Sequence, residues 1–195
     1  VFIEPSGVVE ANNELRTLAA KEKIEIEKVL AELSAAVAEI SDTVKYDFEG
    51  ICDIDLLFAK AKLAAAQKAV CPEVNADGKI NIKNGRHPLL DPEKVVPQNV
   101  NLGYDFDSLI VTGPNTGGKT VVLKTIGLFT VMAQSGLHVP ADDGTTLAVF
   151  EGVYADIGDE QSIEQSLSTF SAHMKNIVHI LNVMTPDSLV LFDEL

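Results

Sequence analysis

Apolar residues recur at alternating three- and four-residue steps over the first part of the chain. This stripe consists of Leu15, Leu18, Ile26, Leu30, Leu33, Val37 and Ile40. Lysines and glutamates occupy the opposite face, and the spacing predicts a long helix over residues 9–41 that packs along a narrow seam. The same stepping predicts a second helix over about 53–68. Periodicity leaves open whether the two helices form an antiparallel pair, a lever or ordinary helical packing.

After Gly78 the pattern changes to short apolar runs between turn residues, which is typical of strands. The runs predicted as strands are 80–82, 95–97, 99–102, 109–112, 147–150, 153–155 and 188–192. Helical patterns lie between them, one ending near Gln134 with Gly136 as its C-cap, and one over about 169–181 with Ser168 as its N-cap. Strands that alternate with helices indicate an α/β fold class.

Eight residues fit G-x-x-x-x-G-K-[ST], the pattern of a phosphate-binding loop. They are Gly113, Pro114, Asn115, Thr116, Gly117, Gly118, Lys119 and Thr120, and the predicted ATP-binding set extends to Val121. A strand candidate precedes them and a helix start follows, which is the context the motif needs. Lys119 is predicted to reach the β- and γ-phosphates and Thr120 to bind Mg²⁺. The alternative is a glycine-rich turn with a solvated lysine.

A second candidate lies at the end of the run 188–192, where Asp193 and Glu194 follow four apolar residues. The carboxyl edge of a parallel sheet is where ligands bind in α/β proteins. Asp193 suits the Mg²⁺ shell, and Glu194 suits the polarisation of an attacking water. Without the phosphate loop, a solvated strand end would be the commoner interpretation. His87 precedes a proline, and we expect it to fix a turn near the nucleotide.

Charge and composition narrow the function classes. The net charge of −14 argues against a broad surface that tracks nucleic-acid phosphates. No apolar run approaches about 18 residues, so no membrane partner is predicted. Cys52 and Cys71 match no metal spacing and are interpreted as reduced thiols of a cytoplasmic protein.

The motifs together resemble the MutS family. The resemblance rests on residues 113–120, Ser168-Thr169-Phe170, Leu191-Phe192-Asp193-Glu194 and the Gly85-Arg86-His87-Pro88 turn. The string 158–170 is similar to one branch, the second bacterial MutS paralogue, which usually carries a C-terminal Smr nuclease domain. The resemblance implies a fragment of an α/β ABC-type P-loop ATPase with a mixed sheet. Residues 1–70 would be a helical lever or clamp segment, and residues 71–195 the front of the ATPase domain.

The same resemblance implies a homodimer with ATP and Mg²⁺ between the subunits. Ser168 and Thr169 would approach the γ-phosphate held by the other subunit. The function implied is an ATP-hydrolysing switch on nucleic acid, either branched DNA in recombination suppression or collided ribosomes. Nucleic-acid contacts and endonuclease activity would lie outside this segment. The alternatives are a nucleotide-dependent dimerisation module without efficient turnover, and another ABC-type ATPase of chromosome maintenance or transport.

Overall fold

The computed structural model describes residues 5–114, 117–158 and 166–193, and within the last range it describes side chains from His173 onward. The chain divides into two compact units, one up to Leu57 and one from Phe58 onward. Each unit is described by itself below.

The first unit consists of helix α1, which spans Ser6–Gln67 and continues into the second unit. The two helices predicted from the apolar pattern are therefore one, and an antiparallel pair of the two is wrong. Gly50 lies inside this helix, and a single interior glycine costs only about 1 kcal/mol, which does not break a helix. The predicted seam is present as a stripe, but its residues are exposed, and no described residue of α1 is buried. Ion pairs such as Lys23–Glu27 and Lys45–Asp42 lie along the helix surface.

The second unit contains a four-stranded sheet built from β1 (Glu73–Asn75), β2 (Ile80–Gly85), β3 (Gln98–Leu102) and β4 (Thr146–Ala148). The strand order is β1-β4-β2-β3. β1 and β4 are parallel, whereas β2 is antiparallel to both β3 and β4. The sheet is therefore mixed, and its strands are short.

Among the described residues, a second sheet pairs two strands, β5 (Gly152–Asp156) and β6 (Ser188–Phe192). They are parallel, and the register pairs Asp156 with Phe192. Helix α3 (Ser166–Val183) connects them, as a parallel pair requires. The prediction of a parallel strand directly before Asp193 is confirmed.

Helix α2 (Lys119–Gln134) packs between the two sheets. The buried side chains of α2 pack with those of both sheets in one hydrophobic core. The core consists of Ile80, Ile82, Val100, Ile126, Phe129, Met132, Val139, Ala141, Leu147, Ala148, Leu189 and Leu191. The C-terminus of α2 is closed as predicted, because Gly136 has φ 69° and its N–H donates to Ala133 O, while Leu137 N–H donates to Met132 O. The ammonium of Lys60, on the last turns of α1, donates to Ser135 O at the same end.

The predicted ABC-type fold is wrong for the structure of this chain. Two small sheets are present instead of one, and no sheet closes among the described residues. The run 109–112 was predicted as a strand but pairs with no described strand, and Ile110 is 85% exposed. A strand needs a neighbour for its N–H and C=O groups, and an apolar β-branched run shows only that a segment suits a sheet.

Two further expectations are corrected. Residues 95–97 form no strand, since β3 begins at Gln98 and Pro97 has no N–H to donate to a ladder. Ser168 lies inside α3 and is not its N-cap, because the helix begins at Ser166. Across the described ranges, none of the helices combines the length and the apolar character that a bilayer crossing requires.

Candidate functional site

The two sequence motifs meet in one hydrogen bond. The Thr120 hydroxyl donates to the Asp193 carboxylate, with 2.7 Å between Oγ1 and Oδ2, across 73 residues of sequence. Thr120 lies in the first turn of α2, and Asp193 directly follows β6, so helix start and strand end are adjacent. Both groups are half-buried. A hydroxyl and a carboxylate oxygen are hard donors of the kind that Mg²⁺ accepts.

The start of α2 offers backbone N–H groups to an anion. Gly118 is the N-cap residue with φ 81°, a conformation that favours glycine, and no described side chain caps the helix. The first helix bond there runs from Val122 N–H to Gly118 O, so the amides before it have no intrahelical acceptor. Free amides and the helix dipole favour a phosphate at this end. Lys119, the first helical residue, adds a positive charge.

Several predicted site residues cannot be placed in this geometry. Asn115, Thr116 and Glu194 lie outside the described residues. Ser168 and Thr169 belong to the first turn of α3, and their side chains are outside the described part of the chain. Their predicted roles stay predictions.

His87 lies in a turn that a hydrogen bond from Leu90 N–H to His87 O closes. Burial of the ring, followed by the positive charge of Lys124 on α2, lowers the pKa of His87 below the usual 6.5. The ring is therefore neutral at pH 7. Its Nδ1 accepts from Leu89 N–H at 3.3 Å, which places the proton on Nε2 and leaves that atom as a donor.

Arg86 and Asp142 hold this turn in place. Asp142 accepts from the Asn84 amide at 2.6 Å and pairs with the Arg86 guanidinium at 3.5 Å. Arg86 N–H also donates to Pro140 O. The turn predicted over Gly85–Pro88 lies two residues later, at 87–90, because Gly85 is still part of β2. Its position against the loop 140–144 is fixed by these bonds.

Two cavities border His87. One, of about 660 Å³, runs along α2 and β5–β6 and is apolar except for His87 and Lys124. The other, of about 400 Å³, lies between the end of α1 and the turn, and its lining includes Gln67, Arg86 and Val95. Neither is lined by Thr120 or Asp193, so the loop and the two cavities are separate features of the same unit.

A buried cluster that the sequence analysis missed lies beside Asp193. Asp156, the last residue of β5, is 8% exposed, and its carboxylate accepts from the Asn176 amide at 2.7 Å and contacts His173 Nδ1 at 3.0 Å. Burial alone would raise the pKa of Asp156, but the hydrogen bonds from Asn176 and His173 and the His173 charge outweigh it and hold the pKa below 3.8. The sequence signal that could have indicated this cluster is an Asp at the end of an apolar strand.

No set of three or more His, Cys, Asp or Glu side chains converges as a metal cluster within 5–114, 117–158 and 166–193. Any Mg²⁺ ion held by Thr120 and Asp193 would therefore have few protein ligands and would complete its coordination with other oxygens. Cys52 and Cys71 are free and exposed.

Comparison with known proteins gives the family. Residues 109–195, which include both motifs, match MutS domain V. The whole chain is 60% identical to Endonuclease MutS2 of Alkaliphilus oremlandii and of Acetivibrio thermocellus, and 57% identical to that of Clostridioides difficile. The chain belongs to the MutS family.

This MutS-family chain spans a quarter of the length of those relatives, while each match covers all 195 of its residues. The resemblance inferred from the phosphate loop, the Ser168-Thr169-Phe170 string and the acidic strand end is thereby confirmed. The likeness to the second paralogue, inferred from residues 158–170, is confirmed by the same relatives.

Proposed function

We propose that this chain is the nucleotide-binding part of a MutS-family switch that binds MgATP, hydrolyses it and acts on nucleic acid. The observation that carries the proposal is the 2.7 Å contact between Thr120 and Asp193. It joins the hydroxyl that ends the phosphate loop to the carboxylate that ends the neighbouring strand. A coincidental glycine turn with a solvated lysine would not require that partner.

The uncapped start of α2 supports a triphosphate at the same place. Backbone N–H groups of residues 118–121 and the ammonium of Lys119 supply positive charge, and no described side chain caps these amides. An overall charge of −14 would otherwise repel a nucleotide, so the local field of this helix end is what makes binding favourable.

Each residue has a role in the proposal. Thr120 and Asp193 hold Mg²⁺, which would neutralise charge on the phosphates. Lys119 and the loop from Gly113 orient the triphosphate, and Glu194 accepts a proton from the attacking water. Ser168 and Thr169 reach the nucleotide of a second subunit, so the active form is a homodimer.

The nucleic-acid target belongs to the longer protein. The relatives are called endonucleases, and they are about four times as long as this chain. We therefore propose that contacts with branched DNA or with ribosomes, and any nuclease activity, use other parts of the polypeptide. Free cysteines are consistent with the proposed cytoplasmic location.

A matched pair of variants on α2 tests the metal site. Thr120→Val removes the hydroxyl that faces Asp193, whereas Thr130→Val removes a fully buried hydroxyl that donates to Ile126 O, within α2. We expect Thr120→Val to lower Mg²⁺-dependent ATP affinity at least about tenfold, while Thr130→Val binds like the parent. Calorimetric titration of the full-length protein with ATP, with and without Mg²⁺, measures both.

Turnover is tested separately by Glu194→Gln. Loss of hydrolysis with retained binding assigns the water-activating role to Glu194, and an unchanged rate removes Glu194 from the proposal. Tight MgATP binding without turnover in the parent would favour the dimerisation module over the ATPase. Absence of MgATP binding in the full-length parent would contradict the nucleotide switch altogether.

A further inference from the structure

We propose that Asp156 is a positioning residue that ties the metal-binding end of β6 to helix α3. The inference rests on the proposed function, because it concerns how the nucleotide site is linked to the helix that carries Ser168 and Thr169. It assigns a role to the buried cluster of Asp156, His173 and Asn176, which the nucleotide chemistry itself does not use.

On the strand side, the link is a backbone hydrogen bond. Asp156 ends β5, and its carbonyl oxygen accepts from Asp193 N–H at 3.0 Å, one step beyond the last paired residues of the sheet. The Asp193 side chain in turn accepts from Thr120. Asp156 is therefore one hydrogen bond away from a proposed metal ligand.

On the helix side, both carboxylate oxygens are used. Oδ1 accepts from Asn176 Nδ2 at 2.7 Å, and Oδ2 lies 3.0 Å from His173 Nδ1. His173 and Asn176 are three residues apart, so they project from the same face of α3. The carboxylate thus holds the helix at two points and fixes its rotation as well as its distance.

The cluster contributes to stability, because its hydrogen bonds hold the pKa of Asp156 below 3.8, but packing alone does not require a carboxylate at this position. A carboxylate with 8% exposure loses hydration, and an apolar residue at a strand end would be buried without that cost. The buried carboxylate instead fixes the orientation of α3, because its two oxygens accept hydrogen bonds only from donors at defined angles. Gly158 leaves room for the imidazole, because a Cβ there would lie 3.1 Å from His173 Cε1.

The helix then carries this restraint to the predicted intersubunit contact. Thr169 precedes His173 by four residues, about one turn and 6 Å of a rigid helix. A shift of the β6 end when MgATP binds moves Asp156 through the backbone bond. That movement is passed to the first turn of α3, where the contact with the second subunit is proposed.

The first experiment compares Asp156→Asn with Asp187→Asn in the full-length protein. Asp187 is exposed and lies before the opposite end of β6, so its variant makes the same chemical change outside the cluster. We expect Asp156→Asn to leave the ATP dissociation constant within about twofold and to lower kcat about tenfold. Asp187→Asn should change neither.

A second pair separates positioning from packing. His173→Asn keeps an N–H donor near the position of Nδ1, whereas His173→Leu removes it and fills a similar space. We expect His173→Asn to retain most of the parental kcat and His173→Leu to match Asp156→Asn. Equal losses in both His173 variants, with parental thermal unfolding, would overturn the proposed hydrogen-bond role.

A measurement on the parent protein needs no variant. Addition of Mg²⁺ with a non-hydrolysable ATP analogue should shift the NMR signals of the His173 imidazole and leave those of exposed His138 unchanged. Bound nucleotide with an unmoved His173 signal overturns the link between α3 and the metal site but not the nucleotide proposal. Failure of the analogue to bind at all overturns both.

Discussion

The contact between Thr120 and Asp193 could be predicted from sequence because both residues belong to recognisable motifs. Thr120 and Asp193 belong to patterns that share one ligand, so their proximity followed from chemistry before the fold was known. Asp156, His173 and Asn176 belong to no such pattern. Their meeting depends on the register of β5 against β6 and on the rotation of α3, and neither is encoded by local spacing.

His87 gives a test of the electrostatics at residue scale. Its pKa is lowered first by burial and then by Lys124, so Lys124→Gln should raise the NMR titration midpoint of His87 towards 6.5 without reaching it. Lys175→Gln, which neutralises an exposed lysine of α3, is the matched control. A midpoint unaffected by Lys124→Gln would contradict the assigned charge effect.

The lowered pKa of His87 also determines how the free energy of unfolding changes with pH. The unfolded chain takes up a proton at His87 near pH 6.5, whereas the folded chain takes it up only at lower pH. The contribution of His87 is therefore most favourable above pH 6.5 and declines as the pH falls towards the folded-state pKa. His87→Gln should flatten the pH dependence of the free energy of unfolding in that window.

At the scale of elements, helices α2 and α3 and most strands were predictable because their patterns are local, whereas α1 was predicted as two helices. The glycine with positive φ that closes α2, Gly136, lies one residue after the C-cap Ser135. The strand before Asp193 and α2 itself, from the phosphate loop to Gln134, are further examples. The run 109–112 shows the limit of this reasoning. Its side chains suit a strand, yet whether it pairs depends on a neighbour that local pattern does not specify.

Phe129 connects α2 to the four-stranded sheet, and this gives a test at element scale. The ring is fully buried, and a Cβ on Gly85 of β2 would lie 3.1 Å from Phe129 Cε2. Phe129→Ala should lower the free energy of unfolding by about 3–5 kcal/mol, because it leaves a cavity where helix and sheet meet. Chemical denaturation monitored by circular dichroism measures the change.

Phe106→Ala is the control for that experiment, since Phe106 is 44% exposed. It should cost less than about 1 kcal/mol. Similar losses in the two variants would mean that the ring of Phe129 is not the contact that joins α2 to β2.

For the molecule as a whole, charge is the property that sequence alone determines. A net charge of −14 and an isoelectric point near 4.5 oppose any broad contact with phosphate backbones. We therefore expect the 195-residue chain to bind duplex DNA more weakly than about 10⁻⁴ M at physiological salt, the weak end of non-specific binding. Fluorescence anisotropy with labelled duplex and with branched DNA measures this.

The full-length protein in the same assay is the comparison. Stronger binding by the full-length protein supports nucleic-acid contacts in other parts of the polypeptide. Micromolar binding by the 195-residue chain, falling steeply with salt, would instead reveal a local basic patch within it.

Helix α2 is hydrogen-bonded to other parts of the chain at both ends, so a movement of one end is transmitted to the other. The Thr120 hydroxyl at its start donates to Asp193, and the carbonyl of Ser135, the residue after its end, accepts from the ammonium of Lys60. Sixteen residues make a stiff rod about 24 Å long, so a tilt of about 5° at the glycine end sweeps the far tip through about 2 Å. That displacement exceeds the range of about 0.5 Å over which N–H···O distances vary, so the hydrogen bond from Lys60 to Ser135 O would have to break or follow the helix.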